Sequence, residues 1–506
     1  MKGFLILASV LILFSSCQHK NAEDETYPSK AQVDEAFSII GENLTGEITV
    51  SCFDEEAHSK FLREAAAIFE QNNPGTKINI ETFSSPAERT YTETEDGNLI
   101  IRKISSDEGK ADYISRVTTE LMGGKGADIY AMDVLPYYKF AEGSVLTDLN
   151  AFIEADSNFN LSDYKSNIFT GLSYLGGQYM LPADFYFRLI AFNGEKVGER
   201  EAAKLRENGA FTYWEMTDLV KEAFLADKDG SKIMEISFTD DITELLFGYV
   251  LALEEDKFVD RTAKTANFTD GKFEDFLTKF KTQADNNYFK PALTEGEGNI
   301  ITNFDNPVKN TGYYFRSLVS VQLKDFFLGE ALETKPNFPV AGENDKLLGL
   351  MTNDLGQAAY SYRKAYAINT YSNNKKLAWE LLKFLVSEEM QTSINLVGLP
   401  VNSKAFEKVS KLFITENPNY SQADEEGNFT ITGYYNLGSQ ELRQKLHRDY
   451  LNFLRDAEDK LSIGITGDTE ITEMIKTESF EFFGGLKTAR SAAEALQSSV
   501  SMYLSE

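Results

Sequence analysis

The run GEITVSCFDEEAHSKFLREAAAIFEQNNPGTKINIETFS at residues 46–84 changes its hydrophobic period twice. Apolar side chains alternate at 48–52, which predicts a strand, and then recur at helical spacing at 61–69. An Asn-Pro-Gly turn at 73–75 ends the helical pattern, and alternation resumes at 78–83. A strand, a helix and a strand in this order favour parallel strands joined by a right-handed crossover. The run therefore predicts a β-α-β unit and an α/β fold class.

The same alternation of element types continues along the chain. Helical spacing returns at 113–121, 273–280 and 377–385, and strand patterns occur at 129–132 and 189–192. No fixed-period repeat is present, which argues against solenoids and propellers. At 506 residues, about two to three domain-sized units are expected.

The charge balance excludes one class of partner. The chain carries 50 Lys and Arg residues against 79 Asp and Glu residues, a net charge of -29. Such a charge repels the phosphate backbone, so no nucleic-acid partner is expected. Hydrophobic residues make up 42% of the sequence, which is enough to build buried cores.

The first residues predict export. Lys2 precedes an apolar run at 4–14, which has the length of a signal-peptide core and is too short to span a bilayer comfortably. Small residues then lead into Cys17, a pattern that resembles the bacterial lipobox, although Phe14 stands where Leu is usual. We therefore predict a signal peptide at 1–16, a lipidated Cys17 and a protein held at the outer face of the cell membrane. An uncleaved anchor and simple secretion are the alternatives.

The segment after the signal peptide is polar, and residues 17–44 are predicted to form the lipidated start of the chain and a flexible tether. After Cys17 the only other cysteine is Cys52, so no intramolecular disulfide is expected once the former is acylated. Cys52 alternates with apolar residues and is predicted to be a buried strand residue.

Five segments, taken in order, resemble the family 1 extracellular solute-binding proteins that serve bacterial ABC importers. The likeness runs from about Gly46 to Glu506. The segments are GEITVSCFDE at 46–55, LMGGKGADIYAMD at 121–133, LPADFYFRLIAFN at 181–193, AINTYSNNKKLAWELLKFLVSEEMQ with GLPVN at 367–402, and SAAEALQSSVSMYLSE at 491–506.

This resemblance implies a two-lobed, periplasmic-binding-protein-like fold of type II, with hinge crossovers and a ligand cleft. The expected N-terminal lobe comprises 45–187 and 365–405, and the expected C-terminal lobe comprises 188–364 and 406–506. Crossing segments are expected near Phe187 to Ile190, Tyr362 to Tyr366 and Lys404 to Lys411.

Asp54, Glu55, Asp133 and Tyr137 are candidate ligand residues because they follow predicted strands, at the carboxyl ends where open α/β sheets bind ligands. The resemblance implies the other candidates, since Phe185 and Tyr186 precede the strand that crosses between the lobes, and Phe315 and Arg316 lie where family members carry a ligand-facing loop. Carbohydrate recognition needs flat aromatic faces that stack on sugar rings and carboxylates that accept hydrogen bonds from sugar hydroxyl groups. Each aromatic candidate has core packing as its alternative, the aspartates have helix capping, and the arginine has an ion pair. The candidates are Asp54, Glu55, Asp133, Tyr137, Phe185, Tyr186, Phe315 and Arg316.

Other chemistry finds little support. The histidines at 19, 58 and 447 form no metal pair, and the glycine-rich turn at 123–126 lacks the spacing of a phosphate loop. The sequence therefore predicts no metal, no cofactor and no catalytic residue. Trp214 and Trp379 are interpreted as packing residues rather than sugar platforms.

The predicted function is binding of a small solute, with carbohydrate as the expected class, and its delivery by a monomer to an ABC permease. Two alternatives remain open. The 79 acidic residues do not exclude a membrane-tethered glycoside-processing enzyme. A sensory receptor that presents ligand to a membrane kinase is the other.

Overall fold

A computed structural model describes most of the chain from residue 28 to residue 505. The predicted signal peptide, Cys17 and the start of the tether lie outside the described residues. The described ranges are 28–84, 89–93, 99–103, 109–206, 211–236, 242–291, 300–302, 312–320, 345–415, 418–423, 429–434, 452, 454–466 and 470–505.

Helices and strands alternate through these ranges. The helices are α1 (Lys30–Ile40), α2 (Glu55–Asn72), α3 (Lys110–Met122), α4 (Tyr137–Glu142), α5 (Leu149–Ala155), α6 (Ser166–Thr170), α7 (Glu199–Arg206), α8 (Tyr213–Ala226), α9 (Ile242–Glu254), α10 (Lys272–Asp285), α11 (Lys375–Leu385), α12 (Glu388–Gln391), α13 (Ser403–Thr415), α14 (Glu470–Phe483) and α15 (Ala489–Ser505). The strands are β1 (Gly46–Asp54), β2 (Thr76–Ser84), β3 (Arg89–Glu93), β4 (Leu99–Lys103), β5 (Ile129–Ala131), β6 (Leu181–Pro182), β7 (Asp184–Asn193), β8 (Lys232–Ile236), β9 (Val259–Asp260), β10 (Thr265–Ala266), β11 (Phe289–Pro291), β12 (Ile300–Thr302), β13 (Tyr313–Val319), β14 (Asp345–Gly349), β15 (Ala358–Ser361), β16 (Ala365–Ile368), β17 (Leu399–Pro400), β18 (Pro418–Ala423), β19 (Phe429–Tyr434) and β20 (Leu461–Gly464).

The first large sheet has the strand order β2-β1-β5-β16-β6. Strands β1 and β2 are parallel, with Ile48 opposite Ile78, and α2 connects them. The predicted β-α-β unit is therefore confirmed. Strand β5 continues the parallel set, whereas β16 and β6 each run antiparallel to the preceding strand in that order. Cys52 is buried in β1, as predicted.

The second large sheet has the path β11-β8-β13-β7-β15-β20. Strands β11, β8 and β13 are parallel, and β7 runs antiparallel to β13. Strands β14 and β17 also pair with β7. Smaller sheets are formed by β12-β4-β3, by β9 and β10, and by β18 and β19.

Two hydrophobic cores meet along β7. Its alternate side chains Phe185, Phe187 and Leu189 belong to the first core, whereas Ile190 and Phe192 belong to the second. Ala191, which lies between these two, still belongs to the first core, so the cores pack against opposite faces of β7. This arrangement, with a parallel set of strands in each half, is the two-lobed α/β fold that the sequence predicts.

Helix α1 corrects the predicted tether. Ser29 and Gln32 form a capping box at its start, and the side chain of Ala36 is only 1% exposed within the first core. The ammonium group of Lys376 donates a hydrogen bond to the carbonyl oxygen of Ile40 at 2.7 Å. The prediction of a flexible segment is therefore wrong for Lys30–Ile40, because a capped helix with an apolar stripe packs on the lobe.

The third crossing was expected near Lys404 to Lys411. Phe406, near the start of α13, and Leu454, Ala457 and Leu461 all belong to the first core. Ile463, two residues further along β20, packs against the second core. Strand β20 therefore contacts both cores, and the crossing near Lys404 to Lys411 stays a prediction.

Asp156 ties two elements of the first lobe together. Its Oδ2 accepts hydrogen bonds from Trp379 Nε1 at 2.9 Å and Lys383 Nζ at 2.6 Å, so it joins the end of α5 to α11. Burial raises the pKa of this carboxyl group, but the hydrogen bonds from Lys383 and Trp379 outweigh that effect and the pKa lies below its usual value. The predicted packing role of Trp379 is thereby confirmed.

We expect Asp156→Ala to lower the free energy of unfolding by about 2–4 kcal/mol, because two buried donors lose their acceptor. The measurement is urea denaturation of the variant and the wild type. Since the folded-state pKa lies below the unfolded value of about 3.9, the contribution of Asp156 is complete above roughly pH 5 and is lost as the pH falls through the folded-state pKa. Stability loss of Asp156→Ala that stays constant down to pH 3 would contradict this assignment.

Candidate functional site

One edge of the first sheet gathers residues from four strands. The parallel strands β1 and β5 end at this edge, the antiparallel strand β16 begins there, and β6 ends beside it. The backbone N–H of Met132 donates to the carbonyl oxygen of Ala365 at 2.9 Å, which closes the edge between β5 and β16. We call Asp133, Asp184, Tyr186, Arg363 and Lys364 the strand-end cluster.

Asp133 is the carboxylate that follows β5. Helix α4 begins four residues later with Pro136 as its N-cap and no side-chain cap, so helix capping is not the role of Asp133. Its Oδ2 lies 3.3 Å from Nε2 of His58, and its side chain is 17% exposed. Its Oδ1 is buried and has no hydrogen-bond partner among the described residues. One oxygen is therefore oriented by the protein while the other is left to accept a hydrogen bond.

His58 orients Asp133 from beneath. It lies on α2, is fully buried, and has Nδ1 3.2 Å from the hydroxyl oxygen of Tyr366. Tyr366, His58 and Asp133 thus form a chain of polar contacts from the core to the strand end. From the sequence, His58 is a candidate only for a metal site or a histidine-based triad, both with little support, and this role is not predicted. No local pattern signals it, because the three residues come from three distant segments.

Asp184 joins two crossing segments. Its Oδ1 accepts hydrogen bonds from the backbone N–H groups of Arg363 and Lys364, both at 2.8 Å. Its Oδ2 lies 3.8 Å from Lys364 Nζ, and both side chains are buried, at 0% and 1% exposure. Burial lowers the pKa of Lys364, and the negative charge of Asp184 opposes that shift. A Cβ added to Gly398 would lie 2.6 Å from the Cβ of Asp184, so that position requires glycine.

Tyr186 lies two residues beyond Asp184 on the same face of β7. It is partly exposed, and the guanidinium carbon of Arg363 lies 5.6 Å from the centre of its ring. Of the two aromatic candidates on this strand, Tyr186 therefore lies at the edge between the cores, whereas Phe185 points to the opposite face and is fully buried in the first core.

Three further candidates are buried away from the strand-end cluster. Tyr137 is fully buried, and its hydroxyl donates to the carbonyl oxygen of Leu172 at 2.6 Å; burial raises its pKa well above the usual value. Phe315 is packed in the second core. Arg316 is 2% exposed, and its Nε donates to Glu235 Oε1 at 2.6 Å, so its ion pair is buried rather than at the surface. In this conformation none of the three is available to a ligand.

Asp54 and Glu55 stand at the junction of β1 and α2, at the same sheet edge as Asp133. Their side chains lie outside the part of the chain that the structure describes. Their assignment as ligand residues stays a prediction.

The motifs set aside in the sequence are turns and packing residues. Gly124 and Gly126 have φ of 67° and 102°, which makes the tight entry into β5 that their positions predict. Trp214 donates from Nε1 to Glu254 at 3.2 Å and packs edge-on against Phe276, which confirms its packing role. The described ranges hold no group of three or more His, Cys, Asp or Glu side chains suited to a metal ion. Nor do they include a helix with both the length and the apolar character of a membrane span.

Two α/β lobes that share a continuous strand, with partly exposed polar and aromatic side chains where their cores separate, define a two-lobed binding protein. Residues 54–392, more than half of the chain, match the family described as bacterial extracellular solute-binding protein. The chain belongs to this family.

Solved structures share this fold at low sequence identity. The sugar-binding protein MalE of Xanthomonas citri has a TM-score of 0.55 and 15% identity, over 91% of this chain and 98% of that chain. The cyclic alpha-maltosyl-1,6-maltose binding protein of Arthrobacter globiformis has a TM-score of 0.54 and 12% identity, over 91% and 99%. The GacH receptor of Streptomyces glaucescens has a TM-score of 0.53 and 15% identity, over 92% and 99%. Comparison with curated protein sequences gave no match.

We expect Asp184→Ala to lower the free energy of unfolding by about 3–5 kcal/mol, because Lys364 stays buried without a counter-charge and two N–H groups lose their acceptor. Asp184→Asn keeps an oxygen for those N–H groups and is expected to cost less. Adding Lys364→Met to Asp184→Asn removes both charges, so the double variant is expected to be more stable than Asp184→Asn alone. Urea denaturation measures all three, and a double variant that is no more stable than Asp184→Asn would contradict the coupling of the two charges.

Proposed function

We propose that this protein is the extracytoplasmic substrate-binding protein of an ABC importer and that it binds a carbohydrate between its two lobes. The observation that supports the proposal is the strand-end cluster, which has a carboxylate oriented by His58 in Asp133 and a partly exposed aromatic ring in Tyr186. Family membership supports a binding role rather than catalysis.

The chemistry of the cluster suits a sugar. A carboxylate oxygen without a protein donor can accept a hydrogen bond from a sugar hydroxyl group. Asp133 Oδ1 is such an atom among the described residues. The ring of Tyr186 offers a flat apolar face for the C–H side of a pyranose. The structures with the same fold include the GacH receptor in complex with acarbose and a protein named for cyclic alpha-maltosyl-1,6-maltose. We carry this ligand class over to the present chain.

Binding is proposed to act through a hinge. Strand β7 contributes side chains to both cores without interruption, and Asp184, its first residue, bonds to the segment that leads into β16. Rotation of one lobe is then confined to the few residues of the crossing segments. A ligand that contacts both lobes shifts the population towards the closed form, because only that form provides all of its contacts.

The lobes are proposed to divide near the predicted boundaries, with two changes that the cores require. The first lobe comprises 30–187 and 365–461, and the second comprises 188–364 and 464–505. The protein is proposed to act as a monomer and to deliver its ligand to a membrane permease.

Export and lipidation at Cys17 complete the proposal. Since α1 begins at Lys30, the proposed tether comprises residues 17–29, and a chain of that length reaches at most about 47 Å when fully extended. We expect Cys17→Ala to move the protein from the membrane fraction to the soluble fraction of cells, as measured by fractionation and immunoblotting. A variant that remains in the membrane fraction would contradict the lipid anchor.

Thermal denaturation in the presence of sugars tests the binding function directly. A ligand at about 100 times its dissociation constant adds roughly 2.7 kcal/mol to the free energy of unfolding, which raises the midpoint temperature measurably. A panel of mono- and oligosaccharides is expected to contain stabilising ligands. If no saccharide raises the midpoint, the proposed function is wrong.

With a stabilising sugar in hand, we expect Asp133→Asn and Tyr186→Ala each to weaken its affinity by about tenfold or more, because a charged acceptor or a stacking face is lost. Isothermal titration calorimetry measures the change. The matched controls are Asp354→Asn, an exposed carboxylate that pairs with Lys257, and Tyr371→Ala, which is half exposed beyond the opposite end of β16. Unchanged affinity in both site variants would show that the cleft lies elsewhere.

A further inference from the structure

Arg188 continues the partly exposed face of β7 beyond Tyr186. Its side chain is partly buried, with Nη1 3.4 Å from the hydroxyl oxygen of Ser317 and its guanidinium carbon 5.9 Å from the centre of the Tyr249 ring. No carboxylate of the described residues lies within ion-pair distance of it. Arg316, on the neighbouring strand, bonds to Glu235 instead.

A second guanidinium group flanks Tyr186 from the other side. Arg363 is exposed and lies over the ring of Tyr186, so the tyrosine stands between Arg188 and Arg363. No described carboxylate makes a side-chain ion pair with Arg363, because Asp184 accepts only its backbone N–H. A chain with a net charge of -29 thus places two cations without carboxylate partners, as far as the described residues extend, around the aromatic ring of its candidate site.

A partly buried cation without a counter-charge is unfavourable for folding. Burial lowers the pKa of the Arg188 guanidinium, and the group stays protonated at neutral pH. The contact with Tyr249 is at the long end of cation–π distances and offsets only part of this cost. A ligand anion would supply the counter-charge that Arg188 does not find among the described residues.

We infer that the site takes an acidic sugar, whose carboxylate or sulfate groups bind Arg188 and Arg363, one on each side of Tyr186. This inference rests on the proposed function and names its substrate class. Guanidinium groups bind both oxyanions through paired N–H donors, with a geometry that a neutral hydroxyl does not match. Asp133 then serves the hydroxyl groups at another part of the same ligand. Of the remaining charges near the cluster, Asp184 and Lys364 pair with each other.

The test compares acidic sugars with neutral partners of the same skeleton by isothermal titration calorimetry of the full chain. Trisaccharides of galacturonate, mannuronate and glucuronate are each measured beside their methyl esters, and a sulfated trisaccharide beside its desulfated form. At least one acidic member is expected to bind about tenfold or more tightly than its neutral partner. The uronate and sulfate pairs show which oxyanion is preferred.

Variants then assign the preference to the two arginines. Arg188→Gln and Arg363→Gln are each expected to reduce the acid-to-neutral affinity ratio by about tenfold, while Arg490→Gln, an exposed arginine on α15 that bonds to Glu494, leaves it unchanged. If Arg188→Gln fails to fold, raising NaCl from 50 to 500 mM supplies a second measurement with the wild type. Binding of the acidic sugar is expected to weaken and that of the neutral partner to stay constant.

The outcomes separate this inference from the function on which it rests. Neutral sugars that bind as tightly as their acidic partners would overturn the inference and leave carbohydrate binding intact. An acid preference that survives both arginine substitutions would also overturn it. Absence of binding to every acidic and neutral sugar would overturn the proposed function together with the inference.

Discussion

The architecture depends on one buried carboxylate. Asp184 begins the strand that passes through both cores, and it accepts hydrogen bonds from two consecutive N–H groups of the segment that leads back into the first sheet. Burying a charge is tolerable only when hydrogen bonds and a counter-charge compensate it, and Lys364 completes that set. Because this contact joins two crossing segments at one point, it fixes where the lobes meet. The part of β7 beyond Asp184 remains available to line the cleft.

Local pattern accounts for much of the fold. The alternation at 48–52 and the helical spacing at 61–69 correspond to β1 and α2, and parallel pairing brings Asp133 to the same edge as the end of β1. Tyr186 could be selected because it lies at the start of the crossing strand. Residues whose roles follow from chain topology were therefore within reach of the sequence. The helix Lys30–Ile40 was not predicted, because the polar composition of the segment indicated a flexible tether and the capping box at its start was given no weight.

The roles that escaped prediction rest on contacts between distant positions. Tyr366 contacts His58 across 308 positions of the sequence, and Glu235 meets Arg316 across 81. Nothing near either residue encodes such a partner. Alternation in a strand does carry information that the selection of candidates left unused. Successive side chains point to opposite faces, so Phe185 and Tyr186 could not both face a ligand. Phe185 is the one that is buried in the first core.

The groups that suit a ligand are the ones that the free protein leaves unsatisfied. Asp133 Oδ1 is buried without a donor among the described residues, and burial disfavours the charge of Arg188, which pairs with no carboxylate that the structure describes. Both unsatisfied groups lower the stability of the ligand-free protein. A solute that bonds to them removes this destabilisation when it binds. Asp133 follows the end of β5 and Arg188 lies on β7, so a solute must contact both groups to gain the whole of this binding free energy. Under the proposed function, the same incomplete contacts serve both selectivity and closure, so a fully satisfied cluster at this edge is expected to make a more stable protein and a poorer receptor.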